Sequence, residues 1–148
     1  MAIQLRNPIK INPVDVQDKS AVGVRLPFGG KKSIFTLDYT TRDHVKSKLL
    51  NVLLTSPGER IKQPFFGAGL KNRLFEQQTE TSEEELKNYV TPQIQQYVPE
   101  INVDSINLEK GGLQNHQLFV TVNYSLVNND EQDSVTLNFT DTNFESTY

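Results

Sequence analysis

Apolar positions recur at helical spacing over two stretches of the chain and at alternate positions over three others. Val45, Leu49 and Leu53 repeat every fourth residue, with Leu50 and Leu54 widening the stripe, which predicts one buried helix face. Thr40 or Thr41 offers a capping hydroxyl, Asp43 suits the positive end of the helix dipole, and Thr55-Ser-Pro-Gly58 ends the pattern. Leu86, Val90 and Ile94 mark a second helix face, flanked by Tyr89 and Tyr97 and opened by a Ser82/Glu85 capping box. Pro92 inside that pattern predicts a kink or a broken turn, and Pro99 ends it. Between the two helices, residues 58–70 read as a glycine- and proline-rich loop holding Phe65-Phe66, with a short helix over about residues 70–75.

The remainder alternates. Ile101 and Val103, then Ile106 and Leu108, form two pairs whose phase slips by one residue, which predicts a β-bulge. Leu118, Val120, Val122, Tyr124 and Leu126 face one way while Thr121, Asn123 and Ser125 face the other. Val135, Leu137 and Phe139 alternate again beyond a polar loop. The pattern predicts a single α+β domain, with two or three helices packed on a small antiparallel meander. A short strand is expected over residues 34–37. Residues 1–33, broken by Pro8, Pro13 and Pro27 and closed by Gly29-Gly30, read as an extended segment docked through anchors such as Leu26 and Phe28. Residues 34–140 form the predicted domain, and residues 141–148 a flexible polar tail.

Composition narrows the function classes. The chain has 148 residues and only 36% hydrophobic positions, and its 24 Asn and Gln predict a small core under an amide-rich surface. With no cysteine and only His44 and His116, thiolate chemistry and a His-rich metal centre are excluded, and no cofactor or metal is expected. No apolar run approaches the ~18 residues of a membrane span, and the N-terminus lacks the pattern of a signal peptide. A soluble, non-secreted protein without membrane contact is expected.

The net charge of −3 conceals a strong asymmetry: residues 1–75 carry a balance of +8 and residues 76–148 a balance of −11. The basic residues alternate with apolar ones and form no cluster, which argues against nucleic acid. Two readings stay open. Either the halves of a dipolar domain partly neutralise each other, or the domain presents opposite charge to different neighbours in an assembly.

A search for catalytic residues returns little. Glu59 and Glu76 bracket the Phe65-Phe66 loop and are the only carboxylates placed to act as a glycosidase pair, but Arg60 beside Glu59 suits an ion pair better than a general acid. His44 reads as a solvated residue on the polar side of the first helix, and His116 as another at a strand entrance. No enzyme is expected.

The middle of the chain carries an ordered signature. Thr55-Ser-Pro-Gly-Glu-Arg60, Pro64-Phe-Phe-Gly67, Gly69-Leu70 and Leu74-Phe75-Glu76 follow Leu26-Pro-Phe28, a short strand and a helix ending in Leu-Leu-Thr. Over roughly residues 22–140 the chain resembles the contractile-tail baseplate wedge family. Its members are the sheath initiators of phage tails and related injection machines, sometimes labelled lysozyme-like. The resemblance implies a small α+β fold and a structural role in the virion's tail baseplate, assembled in the host cytoplasm. The implied partners are other wedge subunits, the tail tube and sheath proteins, with several copies in a ring. Its lysozyme-like label leaves one alternative, a peptidoglycan-degrading enzyme of the same particle.

The candidate residues follow from this. Gly58, Glu59, Arg60, Pro64, Phe66, Gly67, Leu70 and Phe75 form a turn that either locks the fold or meets a partner; Glu59 and Arg60 can pair with each other or with backbone groups, and Phe65-Phe66 can insert under the helix ends. Where the family often has Glu-Pro-Arg, implicated in docking onto the wedge core, this chain reads Val98-Pro99-Glu100 and shares only the proline. Val135, Thr136, Leu137, Asn138 and Phe139 form the last predicted strand, hence a sheet edge with no Lys and no Pro to guard it. Such an edge suits strand addition by sheath subunits, unless residues 1–20 cover it.

Overall fold

The computed structural model describes residues 20–26, 35–76, 83–110, 117–127, 132–140 and 144–147. Two short strands, β1 (Gly23–Val24) and β2 (Leu37–Asp38), pair antiparallel ahead of helix α1 (Thr41–Leu54). Helices α2 (Leu70–Glu76) and α3 (Glu83–Tyr97) follow, and then the strands β3 (Ile101–Lys110), β4 (Gln117–Leu126), β5 (Gln132–Thr140) and β6 (Phe144–Thr147). These last four form an antiparallel meander in the order β3-β4-β5-β6. The α+β reading holds.

Helix α1 starts as its sequence requires. Thr40 is the N-cap, and its hydroxyl accepts the Asp43 amide at 3.2 Å. Val45, Leu49, Leu50 and Leu53 are buried, as are Leu86, Val90 and Ile94 of α3. They share one core with Val120, Val122, Tyr124, Val135, Leu137 and Phe139, so the helices cover one face of the meander. The predicted bulge in β3 lies between Val103 and Ser105. Helix α3 runs unbroken through Pro92, which stands on its exposed side, so of the expected kink or broken turn the broken turn does not occur. Ser82, His116, Phe28 and Ile34 lie outside the described residues.

Two boundaries differ from expectation. The first short strand lies at Leu37–Asp38, and its partner Gly23–Val24 belongs to the segment taken as separate, so the ribbon spans the division at residue 33. A buried polar cluster ties that ribbon to α1. Asp38 is fully buried and accepts Arg25 Nε at 2.9 Å and the Ser47 hydroxyl at 2.8 Å. Arg25 also donates to Asp43 at 2.9 Å, and the Ser47 oxygen accepts the Leu26 amide at 3.2 Å. The two buried polar side chains of this cluster, Asp38 and Ser47, are thereby matched.

The second difference concerns the tail. Residues Phe144–Thr147 form β6 in place of a flexible end, pairing Phe144 with Phe139 and Thr147 with Thr136. The strand holding Val135, Thr136, Leu137, Asn138 and Phe139 is therefore an inner strand, and its expected role as the sheet edge is corrected. Strand pairing can register four residues on backbone hydrogen bonds without the apolar alternation that reveals a buried strand. Residues 1–19, the other expected cover, lie outside the described residues.

At the entrance to β5, Asp133 holds the sheet to α1. Its carboxylate accepts Arg42 Nε at 2.6 Å and lies 3.1 Å from Lys46 Nζ. Burial alone would raise this carboxyl, but Arg42, the Ser134 amide and Lys46 outweigh it and lower it from 3.8 to about 2. A lowered carboxyl stabilises the fold fully above its unfolded value and loses that contribution as pH falls from about 4 towards about 2. Asp133→Asn is expected to cost about 1–2 kcal/mol at neutral pH, discounted for the exposure of Arg42. Denaturant titrations at pH 7 and pH 2.5 check this: the gap between variant and wild type should shrink at the lower pH.

Candidate functional site

The loop after α1 is built from short backbone reversals. Gly58, at φ +95°, donates its amide to the Pro64 carbonyl at 2.7 Å, closing the Gly58-Glu59-Arg60 turn on itself. The Gln63 amide reaches the Arg60 carbonyl at 3.2 Å, and the Phe66 amide the Gln63 carbonyl at 3.0 Å. The chain then passes beneath the end of α1, where the Ala68 amide bonds the Val52 carbonyl at 2.8 Å and Gly69 bonds Thr55 at 2.9 Å. Phe66, Gly67, Ala68, Gly69 and Leu70 are all buried.

Arg60 locks the inner side. Its Nη2 donates to Asn51 Oδ1 at 3.0 Å, and its guanidinium carbon lies 3.8 Å from the centroid of the Phe66 ring. Phe66 in turn meets Tyr97 of α3, with ring centroids 4.6 Å apart. Helix α1, the loop and α3 are thus joined through one aromatic–guanidinium stack. The expected Glu59–Arg60 pair does not form: Arg60 turns inwards, while Glu59 is exposed and makes no ion pair among the described residues. The adjacent aromatics also divide. Phe66 is 7% exposed, whereas Phe65 is 81% exposed and does not insert under the helix ends. Pro64 is exposed at the tip, and Phe75 lies in the last turn of α2, its side chain outside what is described.

Arg60→Ala is expected to destabilise the fold by about 1–2 kcal/mol through loss of the hydrogen bond and the ring contact. The lower part of this range is favoured because Asn51 Oδ1 also accepts the Thr55 hydroxyl at 3.2 Å and is not left unmatched. A denaturant midpoint equal to wild type would contradict the stack's role.

The junction between α3 and β3 is occupied within the chain. Val98 is buried, Pro99 is exposed, and Glu100 accepts Lys48 Nζ at 2.6 Å. Burial tends to raise the Glu100 carboxyl, but the bond and charge of Lys48 prevail and lower it. His44, expected in solvent, has its Nδ1 buried against Gly23, where an added Cβ would come within 2.2 Å of it.

The two edges of the meander differ. On β3 the Leu108 amide donates to Glu83 Oε1 at 2.9 Å and the Asp104 carbonyl accepts Lys87 Nζ at 2.5 Å, so α3 side chains occupy that edge next to the bulge. Such coverage is how natural edges resist pairing. Strand β6 has no further strand beside it among the described residues. No group of carboxylates and histidines that could hold a metal occurs among them, and no described helix is long and apolar enough to cross a membrane. Glu59 and Glu76, the candidate acid pair, stand on the exposed loop and at the end of α2; the Glu76 side chain lies outside what is described.

Comparison with known proteins places these features in a family. No curated protein matches the chain. Among solved structures, a candidate tail lysozyme from Geobacter sulfurreducens has a TM-score of 0.58 at 20% identity, over 68% of this chain and 91% of that one. A chain of the anti-feeding prophage baseplate, a six-fold symmetrised cryo-EM structure, has a TM-score of 0.54 at 20% identity, over 69% and 80%. At that identity the two likenesses speak for the fold alone. The family model of the baseplate wedge protein gp25 matches residues 40–131, from the α1 cap to the residue before β5. The match spans more than half of the sequence, and the chain belongs to the baseplate wedge protein gp25 family.

Proposed function

We propose that the chain is a structural subunit of a contractile tail baseplate, lies around the tail tube in several copies, and initiates the sheath by accepting an incoming β-strand. Family membership supports the baseplate role, and the six-fold symmetry of the prophage baseplate favours copies arranged in a ring. The observation that carries strand addition is the asymmetry of the meander's edges. Glu83, Lys87 and the bulge block β3, which leaves β6 as the acceptor. Main-chain hydrogen bonds to an open edge supply affinity without a dedicated side-chain pocket. The acceptor is thus one strand further out than Val135–Phe139. Sheath polymerisation on particles whose β6 carries proline tests it.

The alternative, a peptidoglycan-degrading enzyme, rests on the description of the Geobacter neighbour. Glycoside cleavage needs one acid with a raised pKa and a second held ionised across the bond. Glu59 is exposed at the loop surface, on a turn whose arginine is engaged with Asn51 and Phe66, and is not enclosed in a cleft that could hold a glycosidic bond. The purified chain is therefore expected to leave the turbidity of a peptidoglycan suspension unchanged. Lysis that disappears in Glu59→Gln or Glu76→Gln would overturn the structural reading.

A further inference from the structure

The tip of the Gly58–Phe66 loop carries two large apolar side chains that the fold does not use. Ile61 is 97% exposed and Phe65 is 81% exposed, the two highest values among the exposed large hydrophobic residues described. They do not sit on a loose strap. The amide of Gly58 on Pro64, that of Gln63 on Arg60 and that of Phe66 on Gln63 hold the tip, and the Arg60–Phe66 stack anchors its base. A rigid element that presents apolar groups to solvent has already met the ordering cost of binding. We propose that Ile61 and Phe65 form a preorganised plug that enters an apolar cleft with a carboxylate rim on a different subunit of the assembly; this rests on the baseplate reading above.

Charge selects the partner. Lys62 stands exposed between Ile61 and Phe65 in sequence, and Lys71 is exposed at the start of the helix that follows the loop. Cations around an apolar anchor match an acidic rim and raise the rate of encounter. The groove that the described residues of this chain offer to a second copy is of another kind. It measures about 480 Å³, lies in the acidic half at the β3–β5 end of the sheet, and is lined by polar groups including Asp104, Asn123 and Asp133. Two side chains also bury far less than the ~800 Å² per partner of a stable pairwise interface, so the plug is one contact among several in an assembly. A lipid surface fits less well, since exposed Glu59 and Gln63 flank the apolar pair.

The test compares wild type with Ile61→Ser/Phe65→Ser in purified tail particles. Neither side chain packs in the core, so the variant is expected to melt with wild type. Its occupancy in particles, read by quantitative immunoblot, is expected to fall at least about tenfold. Lys62→Glu should lower occupancy further as salt is reduced, because rim repulsion is then unscreened. A benzophenone side chain at position 65 should cross-link in the particle to a different subunit. Wild-type occupancy of a folded double variant would overturn the plug and leave the baseplate reading intact. Cross-linking to a second copy, or binding of the purified chain to anionic phospholipid vesicles that the double variant loses, would also overturn it. Absence of the wild-type chain from particles would overturn the baseplate reading and the plug together.

Discussion

Gly67→Ala is expected to destabilise the protein by about 3 kcal/mol or more, the largest stability effect of any single methyl group in the loop. Gly67 has φ +99°, in the left-handed region where a side chain is strained. A Cβ there would lie 2.1 Å from the Thr55 carbonyl oxygen and 2.8 Å from its carbon. That oxygen accepts the Gly69 amide, so the obstruction is backbone already engaged under the end of α1 and cannot swing aside. Moving it displaces Phe66 and Ala68, both in the core. Gly58 provides the control. Its φ is +95°, yet nothing lies within 4 Å of an added Cβ, so Gly58→Ala should cost only about 1 kcal/mol of backbone strain. Denaturant midpoints measure both. Equal losses would contradict the claim that close approach at residue 67 holds loop and helix together.

The largest functional effect is expected at the outer strand. In an antiparallel strand, neighbouring N–H groups point to opposite sides, so of Glu145→Pro and Ser146→Pro one removes an outward donor and the other a donor to β5. Proline also blocks an approaching strand sterically, the device by which natural edges are protected. Particles carrying either variant are expected to keep tubes and baseplates but to show sheath on fewer than about a tenth of them, the loss that follows when strand addition is the main source of affinity. Electron micrographs with full-length sheaths on both variants would remove β6 as the acceptor. A melting curve close to wild type shows that the effect is local, since β6 pairs only four residues of β5.

Features set by side chains close in sequence were legible without the structure. A cap at Thr40 or Thr41, the Val45–Leu49–Leu53 stripe, the phase slip in β3 and the inward face of β4 each depend on residues a few positions apart. What escaped depends on distant partners or on backbone alone. Asp38 is buried because Arg25 and Ser47 meet it from either side in sequence, and nothing near Asp38 reveals them. Asn51 lies on the less apolar side of α1 and gives no sign that it receives Arg60. Phe65 and Phe66 are chemically identical neighbours in a turn, and only the turn's geometry sends one inwards. The four residues Phe-Glu-Ser-Thr of β6 show no apolar alternation, so they read as tail, and β5 then read as the edge. The resemblance found the family, but the residue that carries its loop outwards was missed: Ile61 belongs to none of the motif pieces, and its exposure is visible only once Arg60 and Phe66 are seen to turn in.

The central claim, a structural subunit at the base of a contractile sheath, is tested most directly by a density map of the intact baseplate. The account predicts copies of this fold in a ring around the tail tube, with the β6 side of each meander towards the first ring of sheath. Density showing the fold away from the tube, or with the α3-covered β3 edge facing the sheath in place of β6, would contradict it.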